Sequence, residues 1–171
     1  MTFDLAAANA EAKRRIIPAL EGEGAHISFE EAVADFPEAL MNVKPDNVPY
    51  TFWHMLEHMR IAQWDILRYI QDPGHTSPTW PNGYWPDQDA EADRAAVNTT
   101  VKQFLDDREQ LVQLIEEPGC KVLEPVEHMS GNSILREALL VVDHTAYHLG
   151  EFVMGRQIMG YWKSGLEDGA G

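Results

Sequence analysis

The chain has one cysteine, few basic residues and no long hydrophobic run, and each shortage excludes a class of protein. Cys120 alone cannot form an internal disulfide, so nothing requires an oxidising compartment. Thirteen Lys and Arg against 28 Asp and Glu give a formal charge of −15, which opposes binding to nucleic acid and to anionic membranes. The apolar run 138–142 is far shorter than the roughly 18 residues that a membrane span needs.

The N-terminal residues also lack the apolar stretch that forms the core of a signal peptide, because Lys13, Arg14 and Arg15 follow only a few apolar residues. We therefore expect a cytoplasmic protein with no nucleic-acid partner and no membrane partner. The length of 171 residues suits one domain covering 1–171, in which the Gly-rich segment 165–171 is expected to be a disordered tail.

Four long segments have the spacing of amphipathic helices, and no segment alternates apolar and polar residues as a half-buried strand does. The helices are predicted at about 2–20, 51–71, 88–117 and 132–159. Ser28 and Glu31 predict a capping box and a short helix after the first of them. Long helices bury their apolar stripes by packing together, so the predicted fold is an all-α four-helix bundle with long inter-helix loops.

Two pairs of histidines have the spacing of metal ligands on a helix. His54 and His58 lie four residues apart in the second long helix, and His144 and His148 lie four apart in the fourth. Residues one turn apart share a helical face, so both rings of a pair can reach one ion, with a third nitrogen from another helix. Helical position slightly favours His58 over His54 as that third ligand. On spacing alone, hydrogen-bonded core histidines are the simpler interpretation of each pair.

Two sequences that contain these pairs, Phe52-Trp-His-Met-Leu-Glu-His-Met59 and Asp143-His-Thr-Ala-Tyr-His-Leu-Gly150, resemble the signature helices of the DinB/YfiT-like superfamily. The aromatic loop 77–86 resembles one branch of it, and the resemblance covers about residues 10–162. It implies a bundle that holds a divalent metal, zinc or nickel with iron or manganese as alternatives, through His54, His144 and His148. His58 is then either a fourth ligand or a replacement for His54, and both alternatives stay open.

Relatives with known activities in this superfamily are transferases and isomerases that use bacillithiol or mycothiol. The resemblance therefore implies a small-molecule substrate and a low-molecular-weight thiol as a candidate partner. A metal with three protein ligands keeps a position for water or thiolate and presents a nucleophile at neutral pH. We hypothesise a metal-dependent hydrolase or thiol-dependent transferase. The alternative is a non-catalytic bundle in which the metal is structural or absent.

A homodimer is expected, since paired bundles are common in the family and the apolar second long helix has surface to spare. Three carboxylates near the proposed ligands could orient an imidazole or act as a base, although such side chains are more often solvated: Asp143, Glu57 and Glu151. Three arginines are the cations available for an anionic thiol: Arg60, Arg136 and Arg156. Because Arg60 is expected to face solvent, hydrolysis or a neutral substrate stays open.

Several aromatic and histidine side chains have two interpretations. Trp80, Tyr84 and Trp85 could cover a metal pocket or simply anchor their loop to the bundle. Tyr147 lies between the paired histidines in sequence but on another helical face, and we expect it to pack in the core. The remaining histidines have no partner at helical spacing and are expected to be ordinary surface residues: His26, His75 and His128.

Overall fold

The structure is a computed structural model, and it describes residues 4–162. Its helices are α1 (Leu5–Leu20), α2 (Phe29–Val33), α3 (Phe52–Gln71), α4 (Arg94–Glu116) and α5 (Ile134–Ile158). Short 3-10 turns lie at Glu38–Leu40, Asn82–Tyr84 and Glu127–Met129, and residues 4–162 contain no strand. The tail expected at 165–171 lies outside the described residues.

Each long helix begins at a polar side chain that accepts a hydrogen bond from a backbone N–H of the first turn. These N-caps are Asp4, Thr51, Asp93 and Ser133. The capping box predicted at Ser28 and Glu31 is present. Helix α4 begins at Arg94 rather than near Gln88, because the Asn42 side chain bonds both the N–H and the carbonyl of Ala92 and holds this segment outside the helix.

The four long helices form a bundle in which each packs mainly against two others. Helix α3 packs against α4 and α5, and α1 packs against the same two helices, so α1 and α3 lie across a diagonal of the bundle. The short α2 packs against α5. This arrangement confirms the predicted all-α four-helix bundle. No helix within residues 4–162 is both long enough and apolar enough to cross a membrane.

Apolar side chains fill the bundle in two clusters. One cluster is rich in phenylalanine and includes Phe29, Phe36, Phe52, Phe104 and Phe152. The other is mainly aliphatic and includes Ile16, Leu67, Leu111, Ile115 and Val141. Along α3 one cluster reaches Met59 and the other begins near Leu67, and along α5 the change falls between Val141 and Leu149. His58 on α3 and His144 and His148 on α5 lie near this boundary.

Most of the large hydrophobic side chains left exposed within residues 4–162 lie on α5, and none lies on α3. On α5 they are Leu139, Leu140, Tyr147, Met154 and Ile158. Among the described residues none of the large exposed hydrophobics belongs to α3, because the apolar side chains of this helix face its neighbours. The apolar surface that the second long helix was expected to leave free is therefore packed inside the bundle.

Candidate metal centre

Three histidine rings from two helices converge at the boundary between the core clusters. Nε2 of His58, on α3, lies 3.1 Å from Nε2 of His144 and 3.2 Å from Nε2 of His148, both on α5. One nitrogen from each ring lies within 4.8 Å of the other two. Two nitrogens bound tetrahedrally to one zinc ion lie about 3.3 Å apart, given a Zn–N distance of about 2.0–2.1 Å. The spacing therefore fits a single ion.

His54 lies outside this cluster. Its Nδ1 faces the backbone N–H of Thr51 at 3.4 Å in the capping box of α3, and its Nε2 lies 2.9 Å from the carbonyl oxygen of Ala90. Both ring nitrogens have backbone partners because His54 is in the first turn of α3, where the segment before α4 passes. Of the expected set His54, His144 and His148, only the last two come together. The third ring beside them belongs to His58, one turn further along α3.

The outer nitrogens of two clustered rings each have an acceptor. Nδ1 of His58 lies 2.8 Å from the carbonyl oxygen of Tyr84, and Nδ1 of His148 lies 2.8 Å from a carboxylate oxygen of Glu151. Carbonyls and carboxylates only accept hydrogen bonds, so in the neutral rings we assign the proton to Nδ1 and a lone pair to Nε2. These two lone pairs then face each other at 3.2 Å in a buried place, an arrangement that a cation between them stabilises. The donor set fits a divalent metal.

Burial keeps His58 and His144 in the form that binds a metal. It lowers the pKa of His58 below its ordinary value, although the Tyr84 carbonyl and the charge of Glu151 act in the opposite direction. Burial, followed by the neighbouring His148 and His58, lowers the pKa of His144 to about 3. Only a neutral imidazole has a free lone pair, so this environment favours metal over proton.

Part of the loop 72–86, which follows α3 and includes the aromatic loop 77–86, lies over His58. The ring of Trp85 stacks on the His58 imidazole with centroids 3.9 Å apart and planes 4° from parallel, and Tyr50 stacks on Trp85 in turn at 4.8 Å. Trp80, by contrast, is 72 % exposed. Of the loop aromatics considered from the sequence, Trp85 covers His58 and Tyr84 provides the carbonyl that His58 contacts.

The loop is anchored to α3 by a buried group that sequence reasoning missed. Asp65 accepts a hydrogen bond from the Tyr84 hydroxyl at 2.6 Å, and its other oxygen lies 2.7 Å from Nε2 of His75. Burial, followed by Asp65, raises the pKa of Tyr84 to about 12. His75 was expected at the surface, yet its side chain is only 10 % exposed. No spacing rule links an aspartate on a helix to loop residues that follow it by 10 and 19 positions.

Of the three carboxylates considered, Glu151 contacts a clustered ring. Besides His148, it accepts a hydrogen bond from the hydroxyl of Tyr50 at 3.4 Å. Glu57 instead contacts Arg60 at 2.6 Å and Thr100 at 2.7 Å, and Asp143 is exposed. Tyr147, expected in the core, is 64 % exposed.

The three arginines considered as partners for an anionic thiol are all engaged elsewhere. Arg60 pairs with Glu57 at 2.6 Å, and Arg136 pairs with Glu137 at 2.9 Å. The buried Arg156 donates to the carbonyl of Ala32 at 2.6 Å. Each guanidinium therefore already has an acceptor within the protein, and none of these acceptors is a clustered histidine.

Comparison with known proteins gives one family. A family model described as the DinB superfamily matches residues 23–152, which include α2, α3, α4 and most of α5. No curated protein and no solved structure matches the chain. The match covers well over half of the 171 residues and contains all three clustered histidines. The chain belongs to the DinB superfamily.

Proposed function

We propose that this protein is a divalent-metal-dependent hydrolase of a neutral small molecule, with the metal held by His58, His144 and His148. The proposal depends on the convergence of their Nε2 atoms, the closest pairs of which are 3.1 and 3.2 Å apart. A metal bound by three imidazoles keeps a position for water and lowers the pKa of that water to about 7.

The chain's own residues orient the ligands and shield them. Glu151 holds the His148 ring through Nδ1, and the Tyr84 carbonyl does the same for His58. Trp85 covers one face of His58 and excludes water there. His144 is half-buried whereas His58 and His148 are buried, so we expect substrate to approach on the side of His144.

Water is favoured over an anionic thiol as the nucleophile. An anionic thiol needs a cation near the metal, and Arg60, Arg136 and Arg156 are all committed to other acceptors. A thiol-dependent transferase is the second candidate. The chain belongs to the DinB superfamily, and its resemblance to that superfamily implied thiol-dependent chemistry. A non-catalytic bundle with a structural metal is the third.

Zinc or nickel is the metal we propose, with iron or manganese as alternatives, because imidazole ligands accept several first-row ions. Protein purified without added metal should contain about one such ion per chain by elemental analysis. The His148→Ala variant should contain no such ion, because it lacks one of the three ligands. Wild-type protein that contained none of the four metals, and bound none on addition, would contradict the proposal.

An open coordination position separates the catalytic interpretation from the structural one. Cobalt can replace the native metal and reports its ligands through its visible absorption. Adding azide or 2-mercaptoethanol to the cobalt-loaded protein should change the spectrum, because a small ligand enters the open position. A spectrum unchanged by both would mean that the protein closes the site, and the metal would then be structural.

A cytoplasmic location and a homodimer are part of the same proposal. The acidic composition and the single cysteine support the location, and the apolar side chains exposed on α5 are compatible with a second copy. Sedimentation at micromolar concentration should give twice the chain mass of 19.3 kDa.

A further inference from the structure

We infer that Asp65 is a positioning residue for the metal centre, acting on His58 through the loop 72–86. The inference deepens the proposed function and rests on it. Asp65 is about two turns beyond His58 on α3, and it hydrogen-bonds to none of the three clustered rings. Its effect must pass through Tyr84 and Trp85, the residues by which the loop contacts His58.

The anchor is buried and uses both oxygens of the carboxylate. Asp65 is 6 % exposed, with one oxygen accepting from the Tyr84 hydroxyl and the other facing Nε2 of His75. A buried carboxylate is costly unless its oxygens are hydrogen-bonded. Both partners come from the loop, at its two ends, so the position of the loop on α3 is set by the requirement to satisfy Asp65.

The same loop fixes His58 by two contacts from adjacent residues. The Tyr84 carbonyl accepts from Nδ1 of His58, and the Trp85 ring stacks on its face. Tyr84 therefore contacts Asp65 through its hydroxyl and His58 through its backbone. A shift of this residue would lengthen the Nδ1 hydrogen bond, allow the proton to move to Nε2 and remove the lone pair that a metal needs.

Two variants test this route, and a third serves as a control. Asp65→Ala removes both anchors, while Tyr84→Phe removes one hydroxyl and keeps the ring and the carbonyl, so it should fold even if the first variant does not. Thr100→Val is the control, because it removes the two hydrogen bonds that this buried hydroxyl makes to α3, one to Glu57 and one from Nε1 of Trp53, without touching the loop.

Zn²⁺ affinity, measured by chelator competition, should fall about tenfold in Tyr84→Phe and further in Asp65→Ala, since lost outer partners of a metal ligand typically cost about 10–100-fold. Thr100→Val should keep the wild-type affinity. In the metal-free proteins, nitrogen-15 NMR should find His58 protonated on Nδ1 in the wild type and in Thr100→Val. It should find a mixture of both tautomers in the loop variants. A loss of stability alone would not change the tautomer of the folded state.

The two readouts separate failure of the inference from failure of the proposed function. A wild type that binds no Zn²⁺ would overturn the metal site, while the His58 tautomer would still test the route from Asp65. Wild-type affinity together with an unchanged Nδ1–H tautomer in Tyr84→Phe would overturn the inference and leave the metal site intact. A tenfold loss in Thr100→Val as well would also overturn it, because the effect would then be general.

Discussion

The imidazole of His144 lies where burial and two neighbouring rings all oppose a positive charge. Its pKa is lowered to about 3 from an ordinary value of 6.5. The folded protein therefore keeps this ring neutral at pH values where an unfolded chain protonates it. Neutrality leaves a free lone pair, and it also makes the stability of the metal-free protein depend on pH.

We expect the metal-free protein to lose stability as the pH falls below about 6.5. The unfolded chain binds this proton first, so the free energy of unfolding falls between about 6.5 and about 3. From pH 8 to pH 5 this group contributes a loss of about 2 kcal/mol. Urea unfolding of His144→Gln, which cannot titrate, should show a pH dependence smaller by about that amount. Parallel curves for the two proteins would contradict the assignment.

Residue types and spacing predicted part of the site. The pair His144 and His148 was found because residues four apart on a helix share a face, and the structure places the two rings together. The helical position of His58 also pointed to the cluster, whereas the resemblance pointed to His54. His54 has backbone partners for both nitrogens, one of them the carbonyl of Ala90, and no helical pattern could reveal a partner from a distant segment.

At the scale of elements, the loop 72–86 packs closely on itself. Gly83 shows how closely it packs: a Cβ there would lie 2.8 Å from the Cβ of Pro78 and 3.3 Å from its carbonyl carbon. Those distances are shorter than ordinary contacts, so only glycine fits without a shift of the backbone. Tyr84, which contacts His58, follows directly.

Gly83→Ala should therefore disturb both the loop and the metal site. We expect a loss of about 1–3 kcal/mol in the free energy of unfolding, measured with urea, because the methyl group overpacks the turn. Zn²⁺ affinity should also fall. Gly119→Ala is a matched control, since a Cβ at Gly119 meets nothing within 4 Å, and its stability should stay within about 0.5 kcal/mol of wild type. Equal stability of the two variants would mean that the loop accommodates the added methyl group, and it would contradict the prediction.

The helices were easier to predict than the connections, for a physical reason. Helix α3 was predicted to within a residue at each end, because Pro49 comes just before its start and an Asp-Pro-Gly sequence stops it. The start of α4 was predicted too early, because the hydrogen bonds between Asn42 and Ala92 join segments far apart in sequence. The hydrogen bonds of Asp65 with His75 and Tyr84 were not predicted either, because they join a helix to a loop and follow no helical spacing.

At the scale of the whole molecule, the bundle holds a polar site between two apolar clusters. The phenylalanine-rich cluster and the aliphatic cluster each consist of apolar side chains, and His58, His144 and His148 lie where they meet. Such a position gives the rings a rigid setting, since the helices on both sides are fixed by packing. The bundle thus provides the framework, and the loop 72–86 and Glu151 set the orientation of the ligands.

The identity of the third ligand tests this account most directly. Zn²⁺ affinity should be measured by chelator competition in the wild type, His58→Ala and His54→Ala. We expect His58→Ala to weaken binding more than about 100-fold, since removal of a ligand costs more than removal of its outer partner. We expect His54→Ala to stay close to the wild type, because the His54 ring hydrogen-bonds only to backbone groups and lies outside the three-ring cluster. Binding lost in His54→Ala and retained in His58→Ala would contradict the account.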